Sequence, residues 1–338
     1  MTESNGIAGE ADLSDRLQQA AARHFGNQAR VAPVSRPSMG GSNDTLVFDL
    51  TDGAASRRLV LRQETYTGAG NPYLPPSAQY RLLEVARAHH IPVPEPVFEL
   101  TEADDLGRGF VMAFVDGETL PRRIVRDPAF EEARPALARQ CGEVLARLHA
   151  VDTAAVDFLR DLPDSIDPLA TQRQRLDAFA EAHPALELGL RWLERNRPAA
   201  AAPCLLHGDF RNGNLIVGPE GLRAVLDWEC SHLGDPFEDL AWLCLRSWRF
   251  GRPDRPVGGF GERAPYYAAY RQAGGGAVDP GTVRYWEIYG FVRWAILNVM
   301  QGYGHVEEGR SSIVYAACGR NVAMMEYDLL MTLDGVYD

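Results

Sequence analysis

The chain has 338 residues, 46% of them hydrophobic and 24% charged, and a net charge of −12 at pH 7. This length and balance are typical of a globular protein with one large domain or two unequal lobes. The acidic balance argues against a broad nucleic-acid surface, because phosphate-backbone binding needs clustered positive charge. The polar N-terminus and the lack of a long apolar run argue against a secretory signal and a membrane span.

Cysteine usage predicts the cellular compartment. The five cysteines are scattered along the chain and form no C-x-x-C pair. This pattern favours reduced thiols over disulfides and makes a zinc site unexpected. We therefore expect a cytoplasmic protein. Together with the charge and the lack of a long apolar run, this leads us to expect a monomer or a homodimer that binds neither nucleic acid nor membranes.

The chain begins with a segment that is rich in Gly, Ser and Glu. We expect this segment, residues 1–12, to be a disordered lead-in, followed by a helix over 13–25. The apolar segments 44–50 and 59–61 are short and separated by a loop, which predicts a β-hairpin.

A second helix is predicted over 77–89, where apolar side chains recur at helical spacing. It should end before 91–96, because the alternating prolines of that segment enforce extended chain. The run 110–115 is apolar at every position, which indicates a strand covered on both faces. Residues 13–115 are therefore predicted to form a small, sheet-rich lobe.

From Asp116-Gly117 onward the pattern becomes helical. Apolar residues recur at three- and four-residue intervals in 137–148 and again in 283–297, and two further helices are expected within 168–197. The predicted fold class is α+β, with a small antiparallel-sheet N-lobe and a larger, mainly helical C-lobe over 116–338. Ligands favour the cleft between such lobes.

The most informative segment is Leu-His-Gly-Asp-Phe-Arg-Asn-Gly-Asn at 206–214, followed by Val-Leu-Asp-Trp-Glu at 225–229. It places Asp209, Asn214 and Asp227 on two short apolar segments joined by a tight turn. A kinase needs this set: one carboxylate that meets a hydroxyl, and two oxygen ligands that hold magnesium against the phosphates of a nucleotide. A small-molecule phosphotransferase is therefore the leading hypothesis.

These residues resemble the aminoglycoside phosphotransferase and choline kinase group, which shares the protein-kinase-like fold. The resemblance rests on 206–243, which contains His-Gly-Asp at 207–209, Asn214, Leu-Asp-Trp-Glu at 226–229 and Gly-Asp-Pro-Phe-Glu-Asp-Leu at 234–240. This combination is specific, whereas His-Gly-Asp alone would be weak. The most similar branch occurs free in bacteria and fused to acyl-CoA dehydrogenases in animals. The resemblance implies a two-lobe kinase fold that uses ATP and Mg²⁺ to phosphorylate a small-molecule hydroxyl.

The resemblance assigns the central roles. Asp209 is the candidate catalytic base, which would orient the acceptor hydroxyl for in-line attack; the alternative is an aspartate that caps its own loop. Asn214 and Asp227 are the candidate magnesium ligands, and the alternatives are a turn residue and a strand-end cap. Glu229 either contacts a second metal or the substrate, or is an exposed carboxylate at the strand end.

Neighbouring residues are assigned supporting roles. We expect His207 to pack the loop and to bond a backbone group, and Arg211 is a further site candidate. Asp235-Pro236-Phe237-Glu238 has the sequence of a helix start with a capping box, with Asp at N-cap and Glu at N3. Asp239, on the same helix, should brace the catalytic loop.

Nucleotide contacts fall in the N-lobe. The loop Gly40-Gly41-Ser42-Asn43 would cover the phosphates of ATP through backbone N–H groups, although on its own a plain hairpin turn would be favoured. Met112, Ala113 and Val115 match the interlobe hinge. There the Ala113 carbonyl and the Val115 N–H would bond the adenine edge, and the alternative is a buried core strand.

Arg62 stands where kinase-like folds usually place a lysine, and it can still pair with phosphate. The usual helical partner of that lysine is a glutamate, but the alignment places Gln79 there. Because Gln79 cannot form an ion pair, Glu64 or Glu84 would have to substitute for it.

Basic and aromatic residues after the metal motif indicate the acceptor. Arg246, Trp248 and Arg249 favour an anionic acceptor with an apolar part, such as a hydroxyacyl-CoA or a related acid. The alternative is a solvated helix end and loop. Aminoglycosides and choline-type alcohols are the other acceptors. The rival from another class is a nucleotide-binding pseudokinase scaffold, which the substitution at Gln79 motivates.

Overall fold

The computed structural model describes residues 4–32, 35, 43–53, 55–65, 71–179, 181–310 and 312–337, with the backbone alone for 4–11 and 43. The chain divides into two compact units, Met1–Ala88 with Val93–Asp116, and His89–Pro92 with Gly117–Asp338. No helix in the described ranges is long and apolar enough to pass through a membrane.

The first unit contains a five-stranded antiparallel sheet in the order β1-β2-β3-β5-β4. Its strands are β1 (Arg30–Val31), β2 (Asn43–Asp52), β3 (Ala55–Glu64), β4 (Pro96–Glu99) and β5 (Gly109–Ala113). Leu46, Phe48 and Leu50 alternate along β2 and are fully or almost fully buried, so one face of the sheet forms the core of this unit. The predicted hairpin is confirmed by the pairing of β2 with β3.

Two helices complete the described part of the first unit, α1 (Ser4–Phe25) and α2 (Pro76–Ala88). Leu17 and Ala20 of α1 pack into the sheet core. The backbone is helical already from Ser4, so residues 4–12 are not the disordered segment that their composition predicts. Ala8, Glu10 and Ala11 are good helix formers, and they let the helix extend toward the N-terminus.

The second unit is mainly helical. Its α-helices within the described ranges are α3 (Pro121–Arg126), α4 (Arg134–His149), α5 (Pro163–Ile166), α6 (Pro168–Asp177), α7 (Pro184–Arg195), α8 (Phe237–Trp242), α9 (Arg263–Gln272), α10 (Pro280–Val306) and α11 (Ile313–Leu333). The two helices expected within 168–197 are confirmed as α6 and α7. The small sheet and the helical remainder together confirm the predicted α+β class.

The core of the second unit lies among α7, α10 and α11. Leu190, Val292 and Leu329 of these helices are fully buried against one another. Helices α10 and α11 approach closely where two glycines meet, because a Cβ on Gly302 would lie 2.8 Å from the Cα of Gly319. This close approach places α11 beside the segment that follows α8.

Two short antiparallel strand pairs carry the motif in the second unit. Strand β6 (Cys204–Leu206) pairs with β9 (His232–Gly234), and β7 (Leu215–Gly218) pairs with β8 (Gly221–Val225). The strand pair expected around 214–227 is thereby confirmed. The loop from β6 to β7 contains residues 207–214, and Asp227 follows directly after β8.

Candidate active site

The loop after β6 turns sharply at Gly208. Its φ of +75° lies in the left-handed region, and a Cβ there would lie 2.1 Å from the carbonyl oxygen of Cys230. Only glycine therefore fits at this position. The turn brings the following residue, Asp209, against side chains from α8 and from its own loop.

Three donors hold the Asp209 carboxylate, whose side chain is 18% exposed. The indole N–H of Trp242 donates to Oδ1 at 2.9 Å, and Nδ2 of Asn214 donates to Oδ2 at 2.6 Å. Nε of Arg211 lies 3.0 and 3.1 Å from the two oxygens. The orientation of the carboxylate is thus fixed while it stays partly open to solvent.

His207 is fully buried beneath this loop. Its Nε2 lies 2.9 Å from the carbonyl oxygen of Leu226, and its Nδ1 accepts the backbone N–H of Asp209 at 3.2 Å. Burial lowers the pKa of His207 below its ordinary value, despite the carboxylates around it. A neutral ring that bonds two backbone groups fits the structural role expected of this residue.

Asp239 of α8 braces the loop from below, as predicted. Its buried carboxylate accepts the backbone N–H groups of His207 at 2.7 Å and of Gly208 at 2.9 Å. Burial alone would raise the pKa of Asp239, but His149 at 3.4 Å and these N–H donors bring that pKa below its ordinary value. The loop is therefore tied to α8 by a charged group.

The start of α8 differs in part from the predicted capping box. Asp235 does accept the N–H of Phe237 at 2.9 Å. Glu238, however, is buried and lies 3.3 Å from His232 and 3.5 Å from Arg293. The capping-box role of Glu238 is wrong because two buried cations compete for its carboxylate.

The candidate metal ligands lie on neighbouring backbone segments. The N–H of Leu226 donates to the carbonyl of Asn214 at 2.8 Å, so Asp227 follows a residue that is bonded directly to Asn214. Asp227 has a φ of 68°, an uncommon conformation for a residue with a side chain and one that recurs at functional sites. Asn214 is 4% exposed, and its amide nitrogen, not its oxygen, makes the bond to Asp209.

This donor set fits magnesium. Carboxylate and amide oxygens are hard donors, and magnesium is usually held by one or two such groups plus phosphates and water. No group of three or more His, Cys, Asp or Glu side chains that could hold a metal occurs in the described ranges. Glu229 is 7% exposed, and the alternative of an exposed carboxylate at this position is wrong.

The candidate nucleotide residues belong to the first unit. Gly40, Gly41 and Ser42 lie outside the described residues, and Asn43 opens β2 opposite Glu64. Met112 is buried in β5, Ala113 ends that strand with its N–H bonded to the Glu95 carbonyl at 2.8 Å, and Val115 lies two residues beyond the strand.

Arg62 lies in β3 and is half-buried, opposite Thr45 of β2 and Phe110 of β5. Gln79 is buried in α2, and its amide donates to the Leu74 carbonyl at 2.8 Å. The glutamine thus has a local structural contact in its own unit.

The two glutamates proposed as substitutes differ in surroundings. Glu64 forms an ion pair with Arg108 at 3.1 Å. Glu84 is exposed on α2.

The three acceptor candidates line one cavity of about 560 Å³ in the second unit. Its wall combines arginines and aromatic side chains with residues of α11: Arg246, Ser247, Trp248, Arg249, Phe250, Gly251, Pro253, Trp294, Asn321, Met324, Met325 and Asp328. The close contact between α10 and α11 contributes to placing this wall.

The cations of this cavity have distinct partners. Arg246 lies 3.5 Å from Asp328, and its guanidinium carbon is 3.8 Å from the ring centroid of Tyr337. Arg249 donates to carbonyl oxygens, those of Cys244 at 2.8 Å and of Pro253 at 3.4 Å. Burial lowers the pKa of Arg249, although neighbouring Cys244 and Glu287 oppose that change.

Trp248 connects the cavity to the catalytic loop. Its side chain is buried, and its indole nitrogen has no hydrogen-bond partner among the described residues. The guanidinium carbon of Arg211 lies 4.6 Å from the Trp248 ring centroid, within cation–π range. Arg211 therefore contacts both the wall of the cavity and the Asp209 carboxylate.

Two further arginines follow Arg249 in the chain, and both are paired on the surface. Arg252 lies 3.0 Å from Asp254, and Arg255 lies 2.8 Å from Glu262. For these residues the alternative of a solvated helix end and loop describes the structure.

Sequence reasoning missed two residues near Asp209. Trp242 follows Asp239 by three positions on α8, so helical spacing could have placed both on the loop-facing side. Arg293 of α10 donates to the Gly208 carbonyl from 85 residues away, and no local pattern indicates such a contact.

Comparisons with known proteins identify the family and the fold of this chain. A family model described as "Phosphotransferase enzyme family" matches residues 33–273. Acyl-CoA dehydrogenase family member 10 of Mus musculus is 34% identical over 222 residues, which cover 61% of this chain and 20% of that protein. The chain thus matches only about a fifth of the length of this relative.

Solved structures show the fold. A putative aminoglycoside phosphotransferase from Ralstonia eutropha JMP134 superposes with a TM-score of 0.69 at 22% identity, covering 95% of this chain and 98% of that one. The ADP-bound aminoglycoside phosphotransferase APH(2'')-Ib superposes with a TM-score of 0.57 at 17% identity, covering 96% and 99%. The predicted kinase-like fold is confirmed by these likenesses.

Proposed function

The chain belongs to the phosphotransferase enzyme family, and we propose that it transfers the γ-phosphoryl group of ATP, with Mg²⁺, to a hydroxyl of a small anionic molecule. The observation that carries this proposal is the cluster around Asp209. Asn214 bonds the Asp209 carboxylate at 2.6 Å, and Asp227 follows the residue whose N–H bonds Asn214. The ADP in a structural neighbour supports ATP as the phosphoryl donor.

Asp209 would accept the hydrogen bond of the acceptor hydroxyl. Its three donors hold the carboxylate in one orientation, so the hydroxyl oxygen can be directed along the line of attack. In a loose phosphoryl transfer the hydroxyl proton need not leave early, and positioning contributes more than basicity. Asn214 and Asp227 would hold Mg²⁺, which supplies charge neutralisation to the phosphates when bound.

We assign nucleotide contacts to the sheet-rich lobe, residues 13–115. Arg62 would pair with a phosphate, the loop 40–43 would cover the phosphates, and Met112, Ala113 and Val115 would meet the adenine edge. Ala113, half-buried at the end of β5, supports the last assignment, because a strand end can present unpaired backbone groups to a ligand.

The acceptor is proposed to be a hydroxylated acyl thioester or a related acid, bound in the cavity beside Trp248. Arg249 gives its hydrogen bonds to carbonyls, so a carboxylate or phosphate on the ligand would supply the opposite charge. The apolar part of the acceptor would pack on Trp248, Trp294 and Met324. The acyl-CoA dehydrogenase in the name of the mouse relative supports acyl chemistry.

Two other functions fit less well. An aminoglycoside is a polycation and favours acidic walls, whereas this cavity contains Arg246 and Arg249. A pseudokinase scaffold has no need of Asp209, Asn214 and Asp227 together.

A mass-spectrometric screen tests the proposal. The protein is incubated with MgATP and a panel of hydroxylated metabolites that includes hydroxyacyl-CoAs, free hydroxy acids, choline and kanamycin. We expect hydroxylated anions to gain the mass of one phosphoryl group. Efficient phosphorylation of kanamycin or choline without any hydroxyacyl product would overturn the acceptor class. Nucleotide binding without a phosphorylated product across the whole panel would favour the scaffold.

A further inference from the structure

Helix α10 places one buried cation against the backbone that precedes Asp209. Nη1 of Arg293 donates to the carbonyl oxygen of Gly208 at 2.5 Å, and Arg293 is 4% exposed. Gly208 occupies the left-handed turn that only glycine tolerates. The guanidinium therefore bonds the loop at the point where its direction is set.

The same guanidinium also reaches Asp209 by a second route. Its central carbon lies 4.8 Å from the ring centroid of Trp242, within cation–π range. The indole N–H of Trp242 donates to Oδ1 of Asp209 at 2.9 Å. One side chain thus fixes both the backbone next to Asp209 and the ring that holds its carboxylate.

Stability alone does not explain a cation at this position. Arg293 lies 3.5 Å from Glu238, which also contacts His232 at 3.3 Å. Buried ion pairs of this kind are often no more stabilising than well-packed apolar residues of the same size. The directional bond to Gly208 is something that an apolar side chain could not provide.

We propose that Arg293 is a positioning residue for Asp209, acting through the Gly208 carbonyl and the Trp242 ring. The inference rests on the proposed role of Asp209 as the group that orients the acceptor. Arg293 itself is buried beneath the loop and is not among the residues assigned to nucleotide, metal or acceptor. Its loss should therefore lower kcat and leave nucleotide affinity unchanged.

Substitution of Arg293→Lys tests this role, because lysine keeps the charge and loses the planar fork and the stacking. We expect kcat for MgATP turnover, followed by ADP release with the best acceptor from the metabolite screen, to fall about 10- to 100-fold, the scale of a small misplacement of a reacting group. The dissociation constant for MgADP should stay within about twofold of the wild-type value, because the substitution removes no contact to the nucleotide.

Arg263→Lys is the matched control. Arg263 of α9 forms an ion pair at 2.5 Å with Glu287, which lies on α10 as Arg293 does. Arg263 has no assigned role in the site. The thermal unfolding midpoint of each variant reports its loss of stability, and only Arg293→Lys should lower kcat. Equal kcat values for the two lysine variants would overturn the proposal.

Trp242→Phe tests whether both routes act through Asp209, because phenylalanine keeps a ring and loses the N–H donor. It should lower kcat by itself and add little in the Arg293→Lys background, since both changes act through Asp209. Fully additive losses would contradict a shared route. If Arg293→Lys fails to fold, Arg293→Met with Glu238→Gln removes both charges together and is held to the same kcat criterion.

Asp209→Ala, measured beside these variants, distinguishes a failure of the proposed function from a failure of the positioning role of Arg293. Unchanged turnover in Asp209→Ala would refute the proposed function itself. Reduced turnover in Asp209→Ala, together with an Arg293→Lys variant that behaves like Arg263→Lys, would refute only the positioning role.

Discussion

At the scale of single residues, Asn214 and Asp227 are the two candidate magnesium ligands, and the side chain of Asn214 also bonds Asp209. Asn214 bonds the Asp209 carboxylate at 2.6 Å, so its substitution would disturb that carboxylate as well as any metal. Asp227 is not one of the three donors that hold the Asp209 carboxylate. A change at Asp227 therefore reports on the metal more cleanly than a change at Asn214.

We expect Asp227→Asn to weaken Mn²⁺ binding in the presence of ADP by about 10- to 100-fold, because the substitution removes a charged ligand and keeps its size. Electron paramagnetic resonance of free Mn²⁺ during a titration measures this affinity. Asp254→Asn is the control, since Asp254 is an exposed carboxylate paired with Arg252. A Mn²⁺ affinity equal in both variants would exclude Asp227 as a ligand.

At the scale of secondary-structure elements, α8 joins the catalytic loop to a buried charge cluster. Asp239 and Glu238 are neighbours on this helix, and they face the loop and His232 respectively. Burial alone would lower the pKa of His232, but Glu238 and then Asp164 outweigh burial and the opposing Arg293 and raise the pKa from 6.5 to about 9. The charged ring is therefore favoured in the folded protein.

This raised pKa predicts a loss of stability in mild base. A raised folded-state pKa contributes its full stabilisation below the unfolded value of 6.5 and loses it as the pH rises through about 9. The free energy of unfolding should fall by roughly 1–3 kcal/mol between pH 6.5 and 9.5 relative to His232→Gln, which lacks the titrating group. Urea denaturation of both proteins across this range measures the difference. Parallel pH profiles would show that His232 does not carry the effect.

At the scale of the whole molecule, local patterns predicted several elements of the fold and singled out Asp209, Asn214 and Asp227, whose roles stay predictions. Helices α4 and α10 contain the segments 137–148 and 283–297, whose apolar residues recur at helical spacing. Asp209 and Asn214 are five positions apart in one loop, and their side chains are bonded to each other there.

Contacts between distant segments could not be predicted in this way. Arg293 meets Gly208 across 85 residues, and its position depends on the packing of α10 against the unit core. Glu238 was misassigned to a cap because its buried partners, His232 and Arg293, lie on other elements. The net charge of −12 likewise gives no sign of a cavity lined by arginines, since a local field depends on placement.

The most direct measurement is the turnover of MgATP by Asp209→Ala against wild type, with the best acceptor from the metabolite screen. The account predicts a loss on the order of 10²–10⁴ in kcat, the usual scale for a positioned base, with nucleotide affinity retained. Wild-type turnover in this variant would contradict the assignment of Asp209 and, with it, the phosphotransfer mechanism built around it.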